Sequence, residues 1–364
     1  MTEEKNKKLG KTIYLPVNDY CALLNESITK FNQDVMDKEM KKREEAEEPI
    51  TDNDKKFPWI DTLSDHLPII LHHIDNDDNG TATKEEKDGD DDEYEGIKIV
   101  SWNINNKKHG KWLQKTVKNE EQRLWWIDQL VNQNEDVQLL REKIIAELVV
   151  DMIKKYDVVA LQEVSGSFID YLNTKNNLTN NFFKFELSRI SYSDPVKRKI
   201  DNCNMIIYNT SRFRIVNQHV LLPVEYDFKN GERKVGLNAT NCVLLQHVPS
   251  GKRYYFASVH LNYNSKVDYV KIINEMERKY PMFIAGDFNK GVRHPMKFQD
   301  KHMKIYSNDC FKFPSITHCY SFSFAMKNIY NFLPYSHVCP LCNVESEYHM
   351  LDRYDHIVYV LPNK

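Results

Sequence analysis

The chain contains no run of about eighteen apolar residues, so no membrane-spanning helix is expected. Its amino terminus, Met-Thr-Glu-Glu-Lys-Asn-Lys-Lys, lacks the apolar segment of a signal peptide. It also lacks an excess of positive charge: the formal net charge is −3, so no global basic footprint announces a nucleic-acid binder. The seven cysteines, odd in number and scattered through 364 residues, read as reduced thiols. Together these features point to an intracellular setting, cytoplasm or nucleus, with signal-independent delivery into another cell left open. No internal repeat is present. What is there is ample core material: 41% hydrophobic and 12% aromatic residues, enough for one large domain or two ordinary ones.

Charge is unevenly spread. Residues Asp75–Glu95 hold eleven acidic residues against two lysines, a net charge of −9 that leaves +6 for the rest of the chain. Such a tract cannot bury enough apolar surface to fold alone and reads as a flexible linker. Asp75, Asp77, Asn79, Gly80 and Glu86 also fit the spacing of a calcium-binding EF-hand loop. Against that, an apolar strand precedes the tract where a helix is required, and Ala82 is small where that loop carries a larger apolar residue. Cys339-Pro-Leu-Cys342 is half of a Zn²⁺ site, with His337 and His349 nearby and His318 or Cys319 as candidates to complete it.

Ahead of the acidic tract, residues 1–63 read as an extension. Thr12–Val17 fits a strand with Pro16 at a sheet edge, and Leu23, Leu24, Ile28 and Phe31 recur at helical spacing. Lys38–Glu48 is almost wholly charged, as in a solvated helix end or a disordered segment. Ser64-Asp65-His66-Leu67-Pro68 then opens an apolar strand, an Asp-His pair that by itself is most simply a turn.

Beyond the tract, the apolar runs that read as buried strands carry a polar group near one end. Ile97–Ile104 presents Asn103, Asp157–Val164 presents Glu163, and Tyr254–Leu261 presents His260. Pro281–Asn289 is an apolar strand expected to break at Gly286 and to deliver Asp287 and Asn289, two residues apart, on one side. Cys203–Tyr208 and Asn241–His247 read as further strands, and Arg353–Val360 as a closing strand with Asp355 near its start. Lys107–Lys155 fits two helices broken near Asn132–Asn134, with Trp112, Trp125 and Trp126 as packing rather than a stacking platform. A further helix is expected over Lys266–Lys279, and Lys197-Arg198-Lys199 is a modest basic loop.

Five stretches occur in order: Ser101-Trp102-Asn103-Ile104, Leu161-Gln162-Glu163-Val164, Val259-His260-Leu261, Gly286-Asp287-Phe288-Asn289 and Tyr354-Asp355-His356-Ile357. In this set, covering residues 97–360, the chain resembles the endonuclease/exonuclease/phosphatase superfamily, which includes deoxyribonuclease I-like enzymes. That family ends on a Ser-Asp-His motif opening its last strand; here only Leu361–Lys364 follow the last motif, and Ser64-Asp65-His66 stands near the other end. The resemblance therefore implies a circular permutation, with the usual last strand (64–74) placed first and joined through an acidic linker (75–96) to the main body (97–364).

The resemblance further implies an α/β fold, a two-layer β-sandwich flanked by helices, with its site at the carboxyl ends of the central strands. It implies a Mg²⁺- or Mn²⁺-dependent phosphoric ester hydrolase, most simply a nuclease on DNA or RNA, with inositol phosphates or phosphoinositides as the alternative substrates. A catalytically retired binding protein of the same fold is a third reading. Glu163, Asn103 and Asp65 would hold the metal, and Asp287 would orient or deprotonate the attacking water. Asn289, Asn103 and Asn204 would contact phosphate, while His260 and His66 would stabilise developing charge. Asp355 would hydrogen-bond a histidine, His66 by preference. A nucleic-acid substrate is implied as partner; protein partners are not.

Overall fold

The computed structural model describes residues 11–13, 18–47, 63–64, 68–74, 96–106, 135–178, 181–188, 191–194, 199–217, 225–227, 233–235, 240–261, 279–289, 303–305 and 355–362. Asp65, His66, the acidic tract with its Asp75–Glu86 loop, the tryptophan cluster of 112–126, the 197–198 basic pair, residues 266–278 and the Cys339/Cys342 pair lie outside the described residues.

The strands are β1 (Lys11–Ile13), β2 (Ile69–Ile74), β3 (Ile97–Asn103), β4 (Val158–Val164), β5 (Phe183–Leu187), β6 (Ser191–Asp194), β7 (Lys199–Asn209) and β8 (Phe213–Asn217). They continue as β9 (Glu225–Asp227), β10 (Arg233–Val235), β11 (Thr240–His247), β12 (Arg253–His260), β13 (Met282–Asp287), β14 (Met303–Ile305) and β15 (Asp355–Val360). The helices are α1 (Asn18–Glu45), α2 (Glu135–Lys155) and α3 (Gly166–Leu178). One sheet runs β1-β2-β3-β4-β7-β5 with β6 alongside β7, the other β14-β15-β13-β12-β11-β8, and β9 pairs with β10 apart from both. Among the described residues, β3–β4 and β12–β13 are the parallel pairs of these sheets. The expected two-layer sandwich with helices is the observed architecture.

Side-chain parity builds it. Along a strand, successive side chains face opposite ways. Ile97, Ile99, Val158, Ala160, Ile206 and Tyr208 of the first sheet meet Tyr254, Phe256, Phe283, Ala285, Ile357 and Tyr359 of the second in one buried cluster. The alternate residues of the first sheet, among them Val100, Trp102, Val159, Leu161 and Met205, pack instead with α1, α2 and α3. Phe31 and Val35 of α1 lie in that same cluster, and β1 edges the first sheet through β2. Lys30 pairs with Glu147 of α2 at 2.9 Å, and Lys175 of α3 meets the same carboxylate at 3.1 Å.

One open expectation is decided and another changes. The charged stretch after Lys38 is a helix end, since α1 continues to Glu45. The strand at Pro281 does not break at Gly286, because β13 runs on through Asp287 and pairs Gly286 with Val259 on one side and His356 on the other. Gly286 sustains this with φ +154°, where a Cβ would sit 2.0 Å from the Val259 carbonyl oxygen, so only glycine lets the parallel neighbour come that close.

Candidate active site

Followed to the carboxyl ends of the parallel strands, the inward stripe of each sheet turns from apolar to polar. In the first sheet the odd series of β3 passes from Ile97 and Ile99 to Ser101 and Asn103, and the even series of β4 from Val158 and Ala160 to Gln162. In the second, β12 passes from Tyr254 and Phe256 to Ser258 and His260, and β13 from Phe283 and Ala285 to Asp287. β15 runs antiparallel to β13, so its polar residue stands at its start, and Asp355 faces Asp287 in register. His260 is in register with Asp287 on the other side. Thus His260, Asp287 and Asp355 form one row across three strands.

Glu163 enters by a different device. The β4–β7 ladder slips between Leu161 and Val164, a bulge that adds one residue to β4, and Glu163 adopts φ +60°. The twist turns its carboxylate into the cleft. There Asn103 Nδ2 donates to Glu163 Oε1 and to Asp287 Oδ2, each at 3.1 Å, bridging the two sheets. The Asn106 N–H donates to Glu163 Oε2 at 2.9 Å. His260 Nε2 lies 3.7 Å from Glu163 Oε1 and 3.6 Å from Asp287 Oδ2, ion-pair reach rather than hydrogen-bond reach.

The same local turn closes β3 and β13. Asn105 N–H donates to Asn103 Oδ1 at 3.0 Å, and Asn289 N–H to Asp287 Oδ1 at 2.8 Å, an i to i+2 side-chain turn in each case. The turn that closes β13 and the Asp287 carboxylate are therefore one feature. Asn289 is held further by its Nδ2, which donates to the Leu261 carbonyl at 2.6 Å. Asn103 Oδ1 accepts from the Asn105 N–H, and its Nδ2 faces the two carboxylates. Asn204 is buried, and its Nδ2 donates to the Ser258 carbonyl of β12 at 3.2 Å. Next to it, burial pushes the Cys203 thiol up to about 12.

Glu163 and Asp287 are 7% and 1% exposed, and both accept from one neutral amide. Two carboxylates so placed call for positive charge between them. Their oxygen donors suit a hard divalent cation such as Mg²⁺ or Mn²⁺. Among the described residues no group of three or more His, Cys, Asp and Glu is arranged as a complete metal site.

Arg141, Asn105, Asn106 and the Gln162–Ser258 contact of 3.0 Å between the sheets are not among the features expected from the sequence. Arg141 had a signal: it interrupts the apolar stripe of α2 between Val137 and Ile144–Ile145, and it is 1% exposed.

No protein-family model matches the sequence, and no curated protein matches it. Among solved structures the chain is similar to an endonuclease/exonuclease/phosphatase family protein from Leptotrichia buccalis, at 12% identity over 72% of this chain and 87% of that one, with a TM-score of 0.43. It is similar to D. rerio TDP2 complexed with single strand DNA product, at 14% identity over 73% and 84% with a TM-score of 0.40. It is also similar to the human Nocturnin catalytic domain with bound sulfate, at 16% identity over 72% and 81% with a TM-score of 0.39.

Proposed function

We propose that this protein is a divalent-cation-dependent phosphoesterase of the endonuclease/exonuclease/phosphatase type, acting on nucleic-acid phosphodiesters. The observation that carries the reading is the meeting of Glu163 and Asp287 from opposite sheets on the Asn103 amide, with His260 Nε2 within 3.7 Å of both. A cation held by Glu163 would supply charge neutralisation at the phosphoryl oxygens. Asp287 takes the proton of the attacking water, its other oxygen fixed by the Asn289 N–H. Asn103 keeps the two carboxylates apart and aligned. His260, partly exposed beside them, stabilises the charge that develops on the phosphoryl group.

Asp65 and His66 belong to the proposal through their flanks. Ser64 Oγ donates to the Asn103 carbonyl at 2.6 Å, and Ile69 pairs with Ser101 in the antiparallel β2–β3 ladder. The described residues Ser64 and Ile69 thus both meet the last residues of β3. This supports the circular permutation, with His66 as the second charge-stabilising histidine, oriented by Asp355, and Asp65 beside the cation. Asn204 and Asn289 are proposed to contact phosphate once substrate displaces their present backbone partners. Cys203 and Cys242 are free thiols, in keeping with an intracellular protein.

The test is hydrolysis of single- and double-stranded DNA, RNA and inositol phosphates in Mg²⁺, Mn²⁺, Ca²⁺ or EDTA. Wild type is compared with Asp287→Asn and His66→Ala. Cation-dependent cleavage of nucleic acid, lowered at least ~10²-fold in both variants, is expected. Cleavage of inositol phosphates alone would transfer the same chemistry to the other substrate class. Near wild-type turnover in His66→Ala would remove the permuted segment from the site. A rewired chain, with 64–74 deleted from the front and appended after 364 through a flexible linker, is expected to recover activity.

A further inference from the structure

Arg141 is a guanidinium sealed inside the protein at 1% exposure. A buried charge of this kind persists only where its donors are satisfied. Its Nη1 donates to the Leu63 carbonyl at 2.6 Å and the Ile104 carbonyl at 3.0 Å, its Nη2 to the Asn105 carbonyl at 2.5 Å, and its Nε to Gln138 Oε1 at 3.2 Å. One side chain thus joins two segments forty residues apart: the approach to Ser64 and the loop leaving β3.

That loop carries two of the N–H groups that hold the site. Asn105 sits at φ +54°, a conformation that asparagine tolerates but does not prefer. Its N–H fixes the Asn103 amide, and the next N–H fixes Glu163 Oε2. With the Ile104 and Asn105 carbonyls drawn toward α2, the two N–H groups that follow are turned into the cleft. Released from that pull, Asn105 would relax toward ordinary backbone angles and both N–H groups would leave their acceptors.

We propose that Arg141 is the positioning residue of this site, setting the orientation of Asn103 and the carboxylate of Glu163 through the backbone of residues 104–106. It reaches no substrate itself. Its planar fork spans three carbonyls in a way that the single ammonium of lysine does not. The structural claim stands on these hydrogen bonds, and its consequence for turnover rests on the phosphoesterase reading.

The experiment is amide hydrogen exchange on the full-length chain, followed by mass spectrometry, in wild type and in Arg141→Lys. In wild type, Asn105 and Asn106 are expected to exchange as slowly as the core strands β4 and β12. In Arg141→Lys the 101–106 segment should exchange at least ~10-fold faster while 253–260 keeps its rate. Turnover should then fall at least ~10-fold in kcat with KM within about 2-fold, the pattern of a misaligned site rather than a weakened binding surface. Fast exchange of Asn105 and Asn106 in wild type overturns the proposal, and that measurement needs no variant to fold. Unchanged exchange of 101–106 in a folded Arg141→Lys overturns it equally. If wild type hydrolyses no phosphate ester, the functional reading falls while the exchange result still decides the role of Arg141.

Discussion

Asp355 stands directly across the β13–β15 ladder from Asp287, and the two carboxylates are 0% and 1% exposed. Cross-strand partners place their Cβ atoms about 5 Å apart, and like charges there are destabilising. On stability grounds alone the pair is a liability, which fits the proposed site. Asp355→Asn keeps the shape and removes one charge. It is expected to melt no lower than wild type, while phosphoesterase turnover falls at least ~10-fold. A variant that melts clearly lower and turns over normally would show the carboxylate to be structural.

Gly286 sets how closely β12 and β13 approach. Gly286→Ala would force a Cβ to within 2.0 Å of the Val259 carbonyl oxygen at a φ of +154°. Backbone must move, because the obstructing atom is itself backbone. A loss of at least ~2 kcal/mol is expected in urea unfolding, with His260 displaced from Asp287 and activity lost in the folded fraction. A change under ~0.5 kcal/mol would mean that the two strands can separate freely at this point.

Much of the sandwich was legible because its strands obey period two. The inward series ending in Asn103, His260 and Asp287 can be read directly from the chain, and so can the face of α1 that carries Ile28 and Phe31. Three things were not. The continuation of β13 through Gly286 depends on a neighbour's carbonyl, which no local rule contains. Glu163 faces the cleft through a bulge, and a bulge inverts the parity that strand reading relies on. Arg141 breaks the apolar pattern of α2, and its meaning lies in carbonyls at Leu63 and Ile104–Asn105 that are distant in sequence.

Burial raises the thiol of Cys203 to about 12 and that of Cys242 further, and raises Tyr208 to about 12 by burial with the Glu186 charge adding to it. In the unfolded chain a thiol titrates near about 8.5. The folded pKa is the higher one, so this contribution to stability is fully present below about 8.5 and is lost as pH rises toward about 12. Unfolding free energy is therefore expected to fall with pH above about 8.5, by up to ~1.4 kcal/mol per unit for each thiol. Urea titrations at pH 7.5, 9 and 10 check this. Cys203→Ala should flatten the slope, and a slope identical to wild type would mean that the thiol is not held neutral by the fold.

Glu163 tests strain and chemistry at one position. At φ +60° its backbone is costly for a residue with a Cβ, and glycine alone adopts that region freely. In most strands glycine is less stable than alanine by about 0.5–1 kcal/mol. Here the order should reverse, with Glu163→Gly more stable than Glu163→Ala by about 1 kcal/mol. Both lose the carboxylate that accepts from Asn103 and Asn106, so both should lose at least ~10²-fold in cation-dependent turnover. Urea unfolding of the pair, read beside their activity, separates the two claims. Alanine more stable than glycine would place the observed backbone angle outside the energetics of the fold. Turnover retained in both would remove Glu163 from the chemistry and leave Asp287 as the carboxylate on which the site depends.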